Sequence, residues 1–314
     1  MTVTRTLRVG TRGSALARVQ TDLVVAALGA PAEVVPIVTE GDRSSDALTQ
    51  IGGTGVFVSA LRQALLDGDI DVAVHSFKDL PTAAADGIVL AAVPPREDPR
   101  DALVARDGLT LGELPGGARV GTGSPRRAAQ LRALGLGLEI VAIRGNVDTR
   151  LGKVAAGEVD AVVLALAGLR RLGRADDATE ILDPIQVLPA PAQGALAVEC
   201  RWSDDEARAV LHALDHPDSR AAVAAERALL AALEAGCSAP VGALAVVAFG
   251  ELDSSAEGDA GTEVFLRGSV TAVDGSDAVR LSVTGPTTDA EAVGRRLAAD
   301  LLAEGADQMM GSSS

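Results

Sequence analysis

The chain has 314 residues, of which 47% are hydrophobic and 23% charged, and its net charge is −15. This balance is typical of globular proteins and excludes a disordered chain. The negative charge and an aromatic content of 2% argue against nucleic-acid binding, because phosphates would be repelled and few rings could stack on bases.

The sequence shows neither a membrane span nor a secretory signal. No uncharged apolar run approaches the roughly 18 residues of a spanning helix, and the first ten residues lack an apolar core. The two cysteines and three histidines match no zinc spacing. We therefore expect a cytoplasmic protein that binds no metal, no membrane and no nucleic acid.

Strands and helices alternate over roughly the first 200 residues. Short apolar or alternating runs predict strands at 7–10, 34–38, 70–76, 88–93, 102–105, 118–121, 139–143, 160–165 and 195–200. Helical periodicity predicts helices at 14–28, 56–66, 125–133, 147–156 and 204–214. This alternation favours the α/β class with largely parallel sheets.

Two Pro-rich segments, 93–100 and 188–194, indicate where the chain crosses between two α/β lobes. Leaving one lobe, building a second and returning is typical of hinged two-lobe binding proteins, whose ligand lies in the cleft. We therefore expect domain 1 to comprise residues 1–94 with 195–214, and domain 2 to comprise residues 100–190.

The last hundred residues have a different pattern. A helix at 219–235 is followed by strands near 243–250, 263–273 and 279–285, and a helix at 289–303 comes last. Strands grouped beside helices predict a small α+β domain over residues 217–310. The acidic, Ser/Gly-rich stretch 251–261 is expected to be a mobile loop.

Two strand-to-helix turns have the composition of anion sites. RVGTRGSALA at 8–17 places Arg12 and Ser14 at a helix N-terminus, whose free amides attract anions. VGTGSPRR at 120–127 places Arg126 and Arg127 at a second one, where two cations are unfavourable unless an anion compensates them. The alternative for each turn is an ordinary connection with solvated arginines.

Further arginines follow the next two strands. RGNVDTRL at 144–151 supplies Arg144 and Arg150, and AGLRRLG at 167–173 supplies Arg170 and Arg171. Open α/β sheets bind ligands at the carboxyl ends of their strands. We therefore expect a small ligand with several carboxylates or phosphates.

Two further segments carry candidate chemistry. HSFKDLP at 75–81 ends a strand with Lys78 and Asp79, either a catalytic carboxylate among cations or a surface ion pair. EAGCSAPVG at 234–242 places Cys237 just beyond a helix, where nothing activates the thiol as a nucleophile. Cys237 could still bond to a strong electrophile or carry a cofactor, whereas Cys200 lies in an apolar strand and is expected to be a core thiol.

Taken in order, these motifs resemble the porphobilinogen deaminase family, also called hydroxymethylbilane synthases. The resemblance runs from RVGTRGSALA to EAGCSAPVG and covers most of the chain before residue 243. It also includes GGTGVF at 52–57, REDPRDA at 96–102 and PAQGA at 191–195. The C-terminal seventy residues contribute little to it.

The resemblance implies two periplasmic-binding-protein-like lobes, a third α+β domain and a monomeric enzyme. In this family four porphobilinogen molecules condense head to tail on a covalent dipyrromethane primer, ammonia is lost at each step, and water releases hydroxymethylbilane. By motif, Cys237 carries the primer through a thioether and Asp79 is the catalytic carboxylate that stabilises the azafulvene cation.

The resemblance also assigns binding residues. Those implied for the cofactor are Ser76, Lys78, Thr122, Ser124, Arg126, Arg127, Arg144 and Gly145. Those implied for the substrate are Arg12, Ser14, Gln20, Phe57, Arg150, Arg171 and Gln193. Many family members carry a Lys where Thr54 stands, so we expect no cationic contact from the loop before Phe57 here. Phe77 stands where a Met is common, which exchanges one apolar side chain for another.

Two other classes remain open. A non-enzymatic anion receptor on the same fold would explain the arginines but would leave Cys237 and the Lys78–Asp79 pair without a role. A Rossmann enzyme for phosphate substrates would need an acidic ribose-binding residue after its glycine-rich turn, and this sequence has none at the expected place. The mass of the intact protein separates these classes, because a receptor would carry no covalent pyrrole.

Overall fold

The structure is a computed structural model that describes residues 5–37, 55–234, 239–249 and 262–310, with the backbone alone at 55–57 and 249. Its contacts divide the chain into two compact units. The first unit contains residues 1–97 and 194–220, and the second contains 98–193 and 221–314.

The elements are numbered in chain order within the described residues. The strands are β1 (Leu7–Arg12), β2 (Ala32–Ile37), β3 (Val72–Ser76), β4 (Ile88–Ala92), β5 (Asp101–Ala105), β6 (Arg119–Thr122), β7 (Glu139–Ala142), β8 (Ala161–Ala165), β9 (Glu180–Ile181), β10 (Leu196–Arg201), β11 (Val241–Phe249), β12 (Thr262–Thr271) and β13 (Ala278–Pro286). The helices are α1 (Ala15–Ala27), α2 (Gly55–Leu66), α3 (Pro125–Ala133), α4 (Val147–Ala155), α5 (Leu166–Arg171), α6 (Asp205–Leu211), α7 (Pro217–Ala232), α8 (Ala290–Ala303) and α9 (Ala306–Met309).

Each of the two five-stranded sheets is parallel apart from one reversed strand. In the first unit the order is β2-β1-β3-β10-β4, and β10 runs antiparallel to both of its neighbours. In the second unit the order is β7-β6-β8-β5-β9, and β5 runs antiparallel to both of its neighbours. The predicted α/β class with largely parallel sheets is confirmed, and the two strands that run against the others are β5 and β10.

The two reversed strands follow the two Pro-rich segments, 93–100 and 188–194. A chain that enters a sheet where the parallel strands end has to run back against them, without the crossover that parallel pairing requires. As a result, Leu196 at the start of β10 pairs with Ser76 at the end of β3. In the same way, Asp101 at the start of β5 pairs with Ala165 at the end of β8.

The second sheet is apolar on both faces, as expected for a sheet covered by helices. Along β5, Leu103 and Ala105 belong to one hydrophobic cluster, whereas Ala102 and Val104 belong to another. Period-two alternation alone would have predicted one solvated face. The near-continuous apolar run of this strand therefore follows from burial on two sides.

The C-terminal part is a three-stranded antiparallel sheet, β11-β12-β13, with α7 and α8 packed in one hydrophobic cluster with it. The two helices approach closely at Gly294, where a Cβ atom would collide with the carbonyl oxygen of Ala225. This confirms the predicted α+β part. In the described residues, no helix is long and apolar enough to cross a membrane.

Most predicted elements are present with ends displaced by one to three residues. The helix predicted at 204–214 is α6 followed by a 3-10 turn at 212–214, and the helix predicted at 219–235 starts earlier and ends at Ala232. The short elements α5, β9 and α9 were not predicted. Helix α5 follows β8 without a loop, so no turn residue marks its start.

A buried polar cluster joins three elements of the first unit. Glu199 of β10 accepts hydrogen bonds from Nε and Nη2 of Arg62 in α2, at 3.0 and 2.7 Å, and its Oε2 lies 3.3 Å from Nε2 of His75 in β3. Burial alone would raise the pKa of Glu199, but His75 and Arg62 lower it to about 2. Because His75 is in β3, this cluster also fixes the strand that leads to Lys78 and Asp79.

We predict that Glu199 makes folding pH-dependent in the acid range. Its folded pKa is depressed, so its contribution is complete above the ordinary value near 4.5 and is lost as the pH falls through about 2. The shift corresponds to roughly 3 kcal/mol in the free energy of unfolding. Denaturant unfolding between pH 7 and 2 should show a weaker pH dependence in Glu199→Gln than in the wild type.

The matched control is Glu33→Gln, at an exposed position of β2. This variant should keep the pH dependence of the wild type. If the free energy of unfolding of Glu199→Gln depends on pH as steeply as that of the wild type, folding does not favour the ionised form of Glu199.

Candidate functional site

Two polar residues meet at the carboxyl edge of the first sheet. Gln20 of α1 is buried, and its Nε2 lies 2.8 Å from Oγ of Ser76 at the end of β3. Ser76 Oγ also lies 3.1 Å from Gln20 Oε1. Ser14 caps α1, because its Oγ accepts a hydrogen bond from the Ala17 amide, and Arg12 is half-buried at the end of β1. The structure thus brings Gln20 and Ser76 into contact and uses Ser14 in a helix cap.

Lys78 and Asp79 lie in a 3-10 turn, Phe77–Asp79, directly after β3. The turn is anchored by the buried side chains of Phe77 and Leu80, and the Phe77 amide donates to the Ala195 carbonyl at 3.0 Å. Both charged side chains are half-buried. Within the described part of the chain, the Asp79 carboxylate accepts no hydrogen bond.

In the second unit, the turn between β6 and α3 is built from two hydroxyl groups. Thr122 Oγ1 accepts from the Ser124 amide at 3.1 Å, and Ser124 Oγ caps α3 by accepting from the Arg127 amide at 3.4 Å. Pro125 is the first residue of the helix, where its missing amide hydrogen costs nothing. Each hydroxyl keeps its own proton to donate.

Asp101 binds both arginines of this turn. Its Oδ2 accepts from Arg126 Nη2 at 2.8 Å, and its Oδ1 accepts from Arg127 Nη2 at 2.7 Å. Asp101 has no exposed surface, and Arg126 and Arg127 are 3% and 5% exposed. Burial alone would raise the pKa of Asp101, but the two guanidinium groups hold it well below its usual range.

Asp101 was not among the predicted site residues. We expected an external anion to compensate the two arginines, whereas the chain supplies part of that compensation itself through Asp101. The available signal was a charged residue opening a strand of otherwise apolar residues, just after a Pro-rich segment. A buried carboxylate at such a place needs cationic partners.

Positive charge nevertheless remains in excess at this edge. Two buried guanidinium groups face one buried carboxylate, and the Nε atoms of Arg126 and Arg127 are buried with no hydrogen-bond partner among the described residues. Arg150 of α4 is close enough that burial, and then the charge of Arg127, lowers its pKa. An anion with several carboxylates fits this donor set, because a carboxylate accepts from guanidinium nitrogens and neutralises their charge.

Gln193, predicted to bind the substrate, lies beside Asp101 in the second unit. Its side chain has no exposed surface, and its Nε2 donates to the Pro99 carbonyl at 2.7 Å and to Asp101 Oδ1 at 2.8 Å. The preceding Ala192 has a φ of 61°, and its amide donates to Glu226 Oε2 at 2.6 Å. The burial of Gln193 follows from this constrained backbone, which no sequence pattern reveals.

The remaining predicted residues of the second unit lie around the same strand ends. Arg144 is exposed before α4, and Arg171 is half-buried at the end of α5. Gly145 has a φ of 108°, and a Cβ there would lie 2.6 Å from Thr149 Cγ2, so this position requires glycine. Arg150 Nε donates to the Gly145 carbonyl at 2.8 Å.

Three positions of interest lie outside what the structure describes. These are Cys237, Thr54 and the side chain of Phe57. The other cysteine, Cys200, is fully buried, and burial raises the pKa of its thiol to about 11. Among the described residues no group of His, Cys, Asp and Glu side chains could hold a metal ion.

Solved structures with a similar backbone share little sequence with this chain. A methionine-binding protein is 15% identical, with 66% of this chain and 89% of that chain covered and a TM-score of 0.41. An ancestral arginine-binding protein bound to arginine is 19% identical, with 67% and 90% covered and a TM-score of 0.35. These likenesses carry no argument about function.

Curated relatives are far more similar. A porphobilinogen deaminase of Mycobacterium tuberculosis is 60% identical over 307 residues, which cover 97% of this chain and 98% of the relative. A porphobilinogen deaminase of Mycobacterium marinum is 59% identical, with 97% and 96% covered.

Two family models match the chain. The model for the porphobilinogen deaminase dipyrromethane cofactor binding domain matches residues 7–209, and the model for the porphobilinogen deaminase C-terminal domain matches residues 221–303. These matches confirm the predicted family and its dipyrromethane cofactor. By its models, its relatives and the charge at its strand ends, the chain belongs to the porphobilinogen deaminase family.

Proposed function

We propose that this protein is a transferase of the hydroxymethylbilane synthase type. It joins four porphobilinogen molecules head to tail on a dipyrromethane held by Cys237, releases one ammonia at each step, and finally releases hydroxymethylbilane with water, for tetrapyrrole biosynthesis. The observation that carries this proposal is the excess positive charge around Arg126, Arg127 and Asp101 at a sheet edge. Every pyrrole unit of such a ligand brings an acetate and a propionate.

The second unit supplies cofactor-binding groups. Arg126 and Arg127 carry the unpartnered Nε groups, and Thr122 and Ser124 keep hydroxyl protons to donate beside them. We also assign Arg144 and Gly145 to cofactor binding, and Arg150 and Arg171 to the substrate as the product lengthens. When bound, the dipyrromethane supplies the pyrrole end to which the first substrate is joined.

The first unit supplies the catalytic carboxylate. As the substrate's carbon–nitrogen bond breaks, the amine leaves as ammonia and positive charge develops on the remaining pyrrole. The Asp79 carboxylate stabilises that charge and accepts a hydrogen bond from the pyrrole N–H. Lys78 and Ser76 bind cofactor carboxylates, and Arg12, Ser14, Gln20 and Phe57 are assigned to the substrate.

We propose the domain division 1–94 with 195–214, 100–190 and 217–310. Its support is that the three sheets have separate hydrophobic clusters. A cytoplasmic location and a monomeric state stay predictions from the sequence.

Cys237 is expected to carry the cofactor. The purified protein should exceed the mass of its sequence by two condensed pyrrole units and should react with an aldehyde reagent for pyrroles. Cys237→Ala should lose both signals, because no other thiol can replace it. Cys200→Ala is the matched control and should keep both, since Cys200 is buried with a raised pKa.

An adduct that persists in Cys237→Ala would contradict the attachment site. Wild-type protein without any adduct, after expression in cells that make porphobilinogen, would instead favour the anion-receptor class. Intact-mass spectrometry measures both outcomes.

Asp79 is expected to govern the rate. Asp79→Asn keeps the size of the side chain but removes its charge, so steady-state formation of hydroxymethylbilane should fall by ~10²–10³. Asp79→Glu should keep part of the activity, because the charge survives in a displaced position. The melting temperature should be unchanged in both, since the half-buried carboxylate has no partner in the described structure.

Near-wild-type turnover in a folded Asp79→Asn variant would remove Asp79 from the mechanism. A fall in turnover matched by an equal fall in folded protein would indicate a structural role.

A further inference from the structure

The guanidinium groups of Arg126 and Arg127 are held in place at both terminal nitrogens. One nitrogen of each, Nη2, donates to Asp101, as described above. The other, Nη1, donates to a backbone carbonyl, that of Leu188 for Arg126 and that of Val163, at 3.0 Å, for Arg127. Since a guanidinium group is planar and rigid, two anchored nitrogens also fix the direction of the third, Nε.

Stabilisation of the fold does not by itself account for this arrangement. Replacing a buried ion pair by apolar side chains is often neutral or stabilising, and here one positive charge remains uncompensated. A second carboxylate provides a comparison: Asp71 precedes β3 in the first unit and pairs with Arg8 at 2.9 Å and Arg201 at 2.8 Å. The side chains of Arg8 and Arg201 are 37% and 18% exposed, so water solvates that cluster, whereas those of Arg126 and Arg127 are 4% and 6% exposed.

We propose that Asp101 is a positioning residue, which orients the two guanidinium groups so that their Nε donors stay available for carboxylates of the cofactor. Gln193 acts with it, because its Nε2 donates to Asp101 Oδ1 and its Oε1 lies 3.4 Å from Arg127 Nη2. This inference rests on the proposed function of Arg126 and Arg127.

A positioning role and a neutralising role predict opposite results. If Asp101 only offset positive charge, its removal would raise the local positive potential and tighten carboxylate binding. If Asp101 fixes the donors, its removal frees the guanidinium groups to turn, and cofactor capture weakens. The sign of the change in cofactor loading therefore distinguishes the two roles.

The experiment compares Asp101→Asn with Asp71→Asn, which removes a buried, arginine-paired carboxylate at the amino edge of the first sheet. Intact mass gives the loaded fraction, thermal melting gives stability, and kcat and KM for porphobilinogen are measured per loaded protein. Asp101→Asn should load less cofactor, and its kcat should fall by ~10–100-fold, the range for a group that orients another. Asp71→Asn should melt at a lower temperature with normal loading and kcat.

Two further variants keep the test decisive. If Asp101→Asn does not fold, Gln193→Met tests the positioning role instead. This variant leaves every charge in place but removes the side-chain amide that donates to Asp101. We expect it to lower cofactor loading and kcat measurably, but by less than tenfold. Normal or increased loading with normal kcat in the deciding variant would overturn the inference. Normal loading in Arg126→Leu would instead overturn the proposed function of the arginine pair, and the inference with it.

Discussion

One strand in each five-stranded sheet runs against the others, and in the second sheet its direction places Asp101 beside two arginines. Because β5 and β10 enter their sheets at the edge where the parallel strands end, the first residues of both strands lie among those ends. In the second sheet this residue is Asp101, next to the helix N-terminus that carries Arg126 and Arg127. A parallel β5 would have placed Asp101 at the opposite edge, and the two arginines would have been buried without a counter-charge.

The amino edge of the first sheet and the carboxyl edge of the second sheet differ in how far water reaches their arginines. Asp71, at the amino end of β3, is paired with arginines that also contact water. Burial alone would raise its pKa, but the hydrogen bonds and charges of Arg8 and Arg201 lower it. At the carboxyl edge of the second sheet the arginines are enclosed, and burial lowers the pKa of Arg126 despite its contact with Asp101. A carboxylate ligand stabilises a buried cation more than an exposed one, because the buried cation has lost its interactions with water.

The sequence predicted more of the elements than of the contacts. Periodicity located the main helices and strands, and the Pro-rich segments near 94 and 189 directly precede the two reversed strands β5 and β10, because those signals are local. The roles of Asp101 and Gln193 depend on residues 25 to 94 positions away and on the left-handed backbone at Ala192, which no local pattern encodes.

Burial and hydrogen-bond partners also distinguish Asp101, the proposed positioning residue, from Asp79, the proposed catalytic residue. Asp101 has no exposed surface, and three side chains bind it, so it cannot approach a substrate or exchange a proton readily. Asp79 is half-buried on a short turn, fixed through Phe77 and Leu80, and its carboxylate is free of hydrogen bonds within the described residues. A carboxylate that must respond to charge developing on a ligand has to be held by its backbone rather than by its oxygens, and of these two residues Asp79 meets that requirement.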